Sequence, residues 1–148
     1  MSNPDLIVDN QPVGGTGGQP FLTYSYERVR VIEAWQGDGS GPASDALVIK
    51  GIRLFWDNQD QPKSAGNLNG EHKSFDFEDG EKISSMTLQS GIRLDNIQFT
   101  TNLGRKFEAG GGGAAHHPTN ENVGNGIFLG FHGHCGQDID SAGAYFQR

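Results

Sequence analysis

Glycine constrains this chain most: there are 23 glycines in 148 residues, scattered through nearly every segment. A glycine inside a helix costs up to about 1 kcal/mol relative to alanine, whereas turns, bulges and close backbone approaches make use of it. With nine phenylalanines and few long apolar runs, the pattern implies many short strands joined by tight turns. The expected class is all-β. The length suits one domain, residues 1–148, with 1–11 as a flexible N-terminal segment. Cys135 is the only cysteine, so no intramolecular disulfide can form and packing alone must hold the fold.

Charge removes several partners. Eighteen acidic residues against eleven basic ones give a formal charge of −7, which repels phosphate backbones and provides no polybasic footprint for anionic membranes. Neither nucleic acid nor direct membrane insertion is expected. The start, MSNPDLIVDN, lacks the basic residues and apolar run of a signal peptide. A cytoplasmic location or release by a non-classical route follows as the expectation.

Along the chain, Gly14, Gly15, Gly17 and Gly18 lie directly before a strand-like run from Phe21 to Tyr26, so they mark a tight corner within the domain rather than a linker. Val29 and Val31 alternate with Arg28 and Arg30. Ala46 to Trp56 is the most apolar stretch, a strand with a bend at Gly51. Asp57 to Glu71 is a long polar connection. Phe75 and Phe77, the Asp79-Gly80 pair and Ile83 to Leu88 together predict a β-hairpin. Ile97 and Phe99 resume the alternation, and Asn102-Leu103-Gly104 is a turn. The tetrapeptide Gly-Ile-Arg-Leu stands at Gly51–Leu54 and again at Gly91–Leu94, which hints at internal repetition. Ala109 to Asn125 reads as an exposed loop.

The last quarter carries the functional expectation. Ile127, Leu129 and Phe131 alternate in one strand and Ala142, Ala144 and Phe146 in its return, closing on the loop Gly136-Gln137-Asp138-Ile139-Asp140. In that loop Gly136 permits a tight turn with outward N–H groups, and Asp140 sets a carboxylate acceptor beside them. Donors and acceptors converging on one patch suit a polyhydroxylated ligand, although Asp and Gln in a glycine-bounded loop also serve as plain turn formers.

Three segments in order, GGTGG (Gly14–Gly18), FTTNLGRKF (Phe99–Phe107) and LGFHGHCGQDIDSAGAYF (Leu129–Phe146), resemble a jacalin-related lectin domain over nearly the whole chain. The resemblance implies a β-prism I fold, three four-stranded antiparallel sheets with pseudo-threefold symmetry, and a metal-free lectin with no catalytic residues and no cofactor. It places a sugar between Gly18 and the Gly-x-x-x-Asp loop of Gly136, Gln137, Asp138, Ile139 and Asp140, with N–H donors at Gln137 and Asp138 and the Asp140 carboxylate as acceptor. Many members have Asp where Gln137 stands, so one negative charge is missing here. Galactose-specific members bring aromatics to this loop and a free N-terminus made by cleavage; this loop has no ring, which favours mannose- or glucose-type glycans unless Trp35 or Trp56 reaches it. A homo-oligomer, dimer or higher, is left open. From a different class, the chain would be a protein-interaction or targeting module of a larger pore-forming assembly.

Other chemistries fit less well. His132, His134 and Cys135, with His116 and His117, include the usual zinc ligand types but match no common zinc spacing. Cys135 as a nucleophile would need a positioned base and an oxyanion site, which nothing marks. Asp138 and Asp140 share one short loop and would not flank a glycosidic bond from opposite sides.

Overall fold

The computed structural model describes residues 6–112 and 117–148. Its strands are β1 (Ile7–Asp9), β2 (Val13–Gly14), β3 (Gln19–Tyr24), β4 (Val29–Asp38), β5 (Leu47–Trp56), β6 (Lys63–Gly66), β7 (Glu71–Asp76), β8 (Ile83–Ser90), β9 (Leu94–Thr101), β10 (Lys106–Gly110), β11 (His117–Asn120), β12 (Phe128–Cys135) and β13 (Ile139–Gln147), with one 3-10 turn at Gly41–Ala43. They form three antiparallel sheets in the orders β1-β13-β12-β3, β6-β5-β4-β7 and β10-β9-β8-β11; β2 adds a two-residue strand to β13 in the first. This is the expected all-β prism.

The three sheets repeat one device. In β5, Gln36 pairs with Ile49 and Trp35 with Gly51, leaving Lys50 as an extra residue. In β9 the same shift leaves Asp95 extra, and in β13 it leaves Asp140. An extra residue reverses which face the following side chains take. Ile49 and Ile52, Leu94 and Ile97, and Ile139 and Ala142 therefore all enter the core despite being three apart. At each bulge the incoming chain donates an N–H to the bulged residue's carbonyl: Gly15 to Asp140 at 2.8 Å, Asn67 to Lys50 at 2.9 Å and Gly111 to Asp95 at 2.9 Å. The residues just before these donors are Gly14, Gly66 and Gly110, at φ +130°, +77° and +92°. A Cβ there would lie 2.2, 2.4 and 2.0 Å from those carbonyl oxygens, so only glycine fits.

Between the sheets lie Ile32, Leu54, Trp56, Leu88, Phe131 and Phe146, all essentially without solvent contact. The Trp56 indole N–H donates to the Leu129 carbonyl at 2.9 Å, so its one polar atom is satisfied in the core.

Several expectations need correction. The Asp79-Gly80 turn exists, with Gly80 at φ +75°, but β7 pairs with β4 and β8 pairs with β9 and β11. It carries the chain from one sheet to another and closes no hairpin. The Gly-Ile-Arg-Leu repeat is out of register with the symmetry, since Gly51 follows a bulge whereas Gly91 opens the loop before one. Residues 7–9 are not a flexible lead: Ile7, Val8 and Asp9 pair with Gln147, Phe146 and Tyr145. In β12 a further bulge at Leu129 turns both Phe128 and Phe131 inward, breaking the simple alternation. The polar stretches expected to be loops hold the edge strands β6 and β11, whose short sequences lack hydrophobic alternation.

Where β1 leaves the edge of β13 and β2 takes over, side chains complete the ladder. The Asn10 amide nitrogen donates to the Ala144 carbonyl at 2.9 Å, and the Ala144 N–H donates to a Glu121 carboxyl oxygen at 2.9 Å. Burial pushes the Glu121 carboxyl up to about 7, outweighing the stabilising Ala144 N–H. The folded state therefore prefers Glu121 neutral, and stability falls as pH rises from the ordinary value of 4.5 to about 7. Glu121→Gln keeps an acceptor for Ala144 without the charge. Its melting temperature is expected to exceed the parent's at pH 8, with the difference shrinking toward pH 4.5, in a thermal-melt series over that range.

Candidate functional site

The bulge in β13 fixes Asp140 at the corner where the N-terminal glycine turn crosses. A Cβ on Gly18 would lie 2.8 Å from Asp140 Oδ1 and 2.8 Å from the Cys135 carbonyl, and one on Gly17 would lie 3.0 Å from Asp140 Oδ2. Two segments far apart in sequence thus meet with bare backbone against a carboxylate. Gly17, Gly18, Gly136 and Gln137 are exposed around the notch, and Asp140 forms its floor with a side chain 9% accessible.

Asp138 has a different role from the one its position in the loop suggests. Its side chain has no solvent contact. One carboxylate oxygen accepts from Lys50 Nζ at 2.6 Å; the other accepts from Arg93 Nε at 2.8 Å and from the Ser40 N–H and hydroxyl at 2.9 Å each. Burial alone would raise this carboxyl, but the Lys50, Ser40 and Arg93 donors prevail and hold it at about 2. Lys50 is the bulged residue of β5, Arg93 stands in the β8–β9 loop and Ser40 in the β4–β5 loop. One buried charge therefore fastens the loops of all three sheets together. Arg93 also reaches toward the corner, with Nη1 3.5 Å from Asp140 Oδ2.

Of the expected site residues, Gly18, Gly136, Gln137 and Asp140 line the notch. Gly136 donates its N–H to the Asp138 carbonyl at 2.9 Å and has open space where a Cβ would stand. Gln137 Oε1 accepts from Asn67 Nδ2 at 3.5 Å. The Ile139 side chain is a correction: it is fully buried in the core, on the inward side of the bulge, and cannot touch a ligand. Asp138, itself 1% exposed, brings no free carboxylate. Neither tryptophan supplies a ring, because Trp56 is buried and Trp35 packs against His72 with its ring under Arg53.

His132 and the thiol are occupied otherwise. His132 Nε2 lies 2.8 Å from the Asn10 carbonyl and 2.9 Å from Asp9 Oδ1, and its ring packs on Tyr145. His116 lies outside the described residues. Among those described, no three His, Cys, Asp or Glu side chains group to hold a metal. Burial pushes the Cys135 thiol up, and the Asp140 charge adds to this against the Gly66 N–H, the reverse of what a nucleophilic cysteine needs. Sequence reading missed Lys50, Arg93 and Ser40. Their partner Asp138 is remote in the chain from all three, and no local motif marks them.

With this geometry in view, the comparisons are concordant. A family model for the jacalin-like lectin domain matches residues 10–145. Griffithsin from Griffithsia sp. is 35% identical over 143 residues, covering 95% of this chain and 98% of that protein. The crystal structure of lamprey immune protein superposes with a TM-score of 0.83 at 27% identity, covering all of this chain. This chain spans only 46% of that protein's length. Malaysian banana lectin gives a TM-score of 0.72 at 26% identity, covering 93% of this chain and 96% of its own. The chain belongs to the jacalin-like lectin family, and is a carbohydrate-binding protein, not an enzyme.

The contacts at Gly17 give a clean test of the notch. Gly18 sits at φ +84° with a backbone carbonyl in the way, so any side chain there strains the fold itself. Gly17 has no such restriction, and an added methyl would meet only the Asp140 carboxylate. Gly17→Ala is expected to melt as the parent does while losing about tenfold or more in glycan affinity, by calorimetric titration beside a thermal melt.

Proposed function

We propose that this lectin binds mannose- or glucose-type glycans in the notch between Gly17-Gly18 and the loop from Gly136 to Asp140, as a single domain over residues 1–148. The contact of the glycine turn with the Asp140 carboxylate carries this reading, with a Gly18 Cβ position only 2.8 Å from Oδ1. A sugar ring entering there would give two hydroxyl protons to Asp140. It would take hydrogen bonds from the N–H groups of Gly18 and Gln137, with the Asp138 N–H beneath. Charge-assisted bonds of this kind are about twice as strong as neutral ones. The loop itself carries no aromatic side chain and neither tryptophan reaches it, so the apolar face of galactose has no ring of theirs to stack on.

A second reading has one observation in its favour. All of this chain matches less than half of lamprey immune protein, as a recognition module of a larger assembly would. Both readings use the same notch, and differ in what is attached to it.

Titration of the parent with methyl α-mannoside is expected to show binding, and methyl α-galactoside much weaker binding. Asp140→Ala should lose about 2–3 kcal/mol of mannoside affinity, the scale of hydrogen bonds to a charged acceptor, while keeping its melt. Unchanged titration curves for Asp140→Ala would remove the sugar from this corner.

A further inference from the structure

Asp138 holds a buried charge that no sugar can reach, and its most consequential partner is Arg93. The guanidinium gives Nε to Asp138 at 2.8 Å, Nη2 to the Ser40 carbonyl at 3.2 Å and Nη1 to the Ile92 carbonyl at 3.1 Å. That same Nη1 is 3.5 Å from Asp140 Oδ2, too long for a good hydrogen bond but close enough for one after a small rotation. On the reading that Asp140 is the sugar acceptor, we infer that Asp138 is a positioning residue: by engaging Arg93 it prevents that guanidinium from closing on Asp140.

The geometry makes the competition direct. A guanidinium fork and a carboxylate pair through two parallel bonds when nothing else holds either group. A closed Arg93–Asp140 pair would occupy the two oxygens that the sugar hydroxyls need. Asp138 outcompetes Asp140 because it is wholly buried and is supplied with two further Ser40 donors that set its orientation. Lys50 Nζ on its other oxygen, also bonded to the Asp38 carbonyl at 3.0 Å, keeps it in place. The bulged residue of one sheet thereby controls how open the bulged residue of another remains. Without the Asp138 charge, Asp140 is the carboxylate within reach of Arg93.

The inference is tested by titrating the full chain with methyl α-mannoside. Asp138→Asn is expected to bind about tenfold more weakly than the parent. Adding Arg93→Gln to it should restore affinity to within about twofold of the parent, because the competing fork is gone. Recovery on removing a second residue is a result that a merely structural role for Asp138 would not give. Since Asp138→Asn leaves the Lys50 ammonium buried without its counter-charge, the pair is also made with Lys50→Met, so that neither member remains unpaired. The same loss and the same recovery are expected there, with cooperative melts in each. Asp138→Asn binding as tightly as the parent, or the Arg93→Gln combination as weak as Asp138→Asn alone, would overturn the positioning role. A parent that binds no mannoside would overturn the sugar reading and this inference together. A parent that binds, with Asp140→Ala that does not, isolates the failure to Asp138.

Discussion

Everything at the functional end of this molecule depends on two backbones coming together at each corner of the prism. The chain crossing from one sheet to the next donates an N–H to the carbonyl of a bulged residue, and the crossing is close enough that the residue before the donor must be glycine. Those three short contacts fix where each bulge faces. The bulged side chains then diverge: a carboxylate at Asp140, another at Asp95 and an ammonium at Lys50. A symmetric scaffold thus carries an asymmetric set of charges, and the asymmetry is used, since Lys50 turns inward to the loop of a different sheet.

The two aspartates of the loop show how two residues in sequence separate into different chemistries. Ile139 lies between them and is drawn wholly into the core. Asp138 is thereby pressed beneath the loops, where only full pairing makes a buried charge tolerable. Asp140, on the bulge, stays at the floor of the notch beside glycines that add no bulk. Ionisation follows placement: four donors hold the Asp138 carboxyl at about 2, whereas Glu121, with the Ala144 N–H as its donor, is carried up to about 7.

The all-β class was legible in the glycine-rich composition, whereas the meeting of Gly18 with the Asp140 loop followed only from the family resemblance, because no local pattern shows which distant segments become neighbours. The symmetry was legible only in part. Its signal is the apolar series Ile49, Ile52, Leu54, Trp56, matched by Leu94, Ile97, Phe99 and by Ile139, Ala142, Ala144, Phe146. A gap of three followed by gaps of two is the mark of a bulged strand, and strict alternation overlooks it. The Gly-Ile-Arg-Leu repeat drew attention to the wrong register because identity of residues is not equivalence of place. The Asp79-Gly80 turn misled for a related reason: turn chemistry fixes a local reversal, while the partner of each flanking strand is decided by which sheet its apolar face can join. Lys50, Arg93 and Ser40 carry no motif, as their role arises only when three loops converge.

The first described strand and the last lie side by side, with the Arg148 N–H donating to the Leu6 carbonyl at 2.8 Å, at the far end of β13 from Asp140. Joining these neighbours by a short linker and opening the chain at the exposed Asp79-Gly80 turn would give a circular permutant with the same sheets. In that order β13 would run directly into β1, so a pairing that now spans almost the whole chain would become a local hairpin. Lower contact order speeds folding, and the permuted chain should reach this fold sooner while leaving the Asp140 corner as it stands.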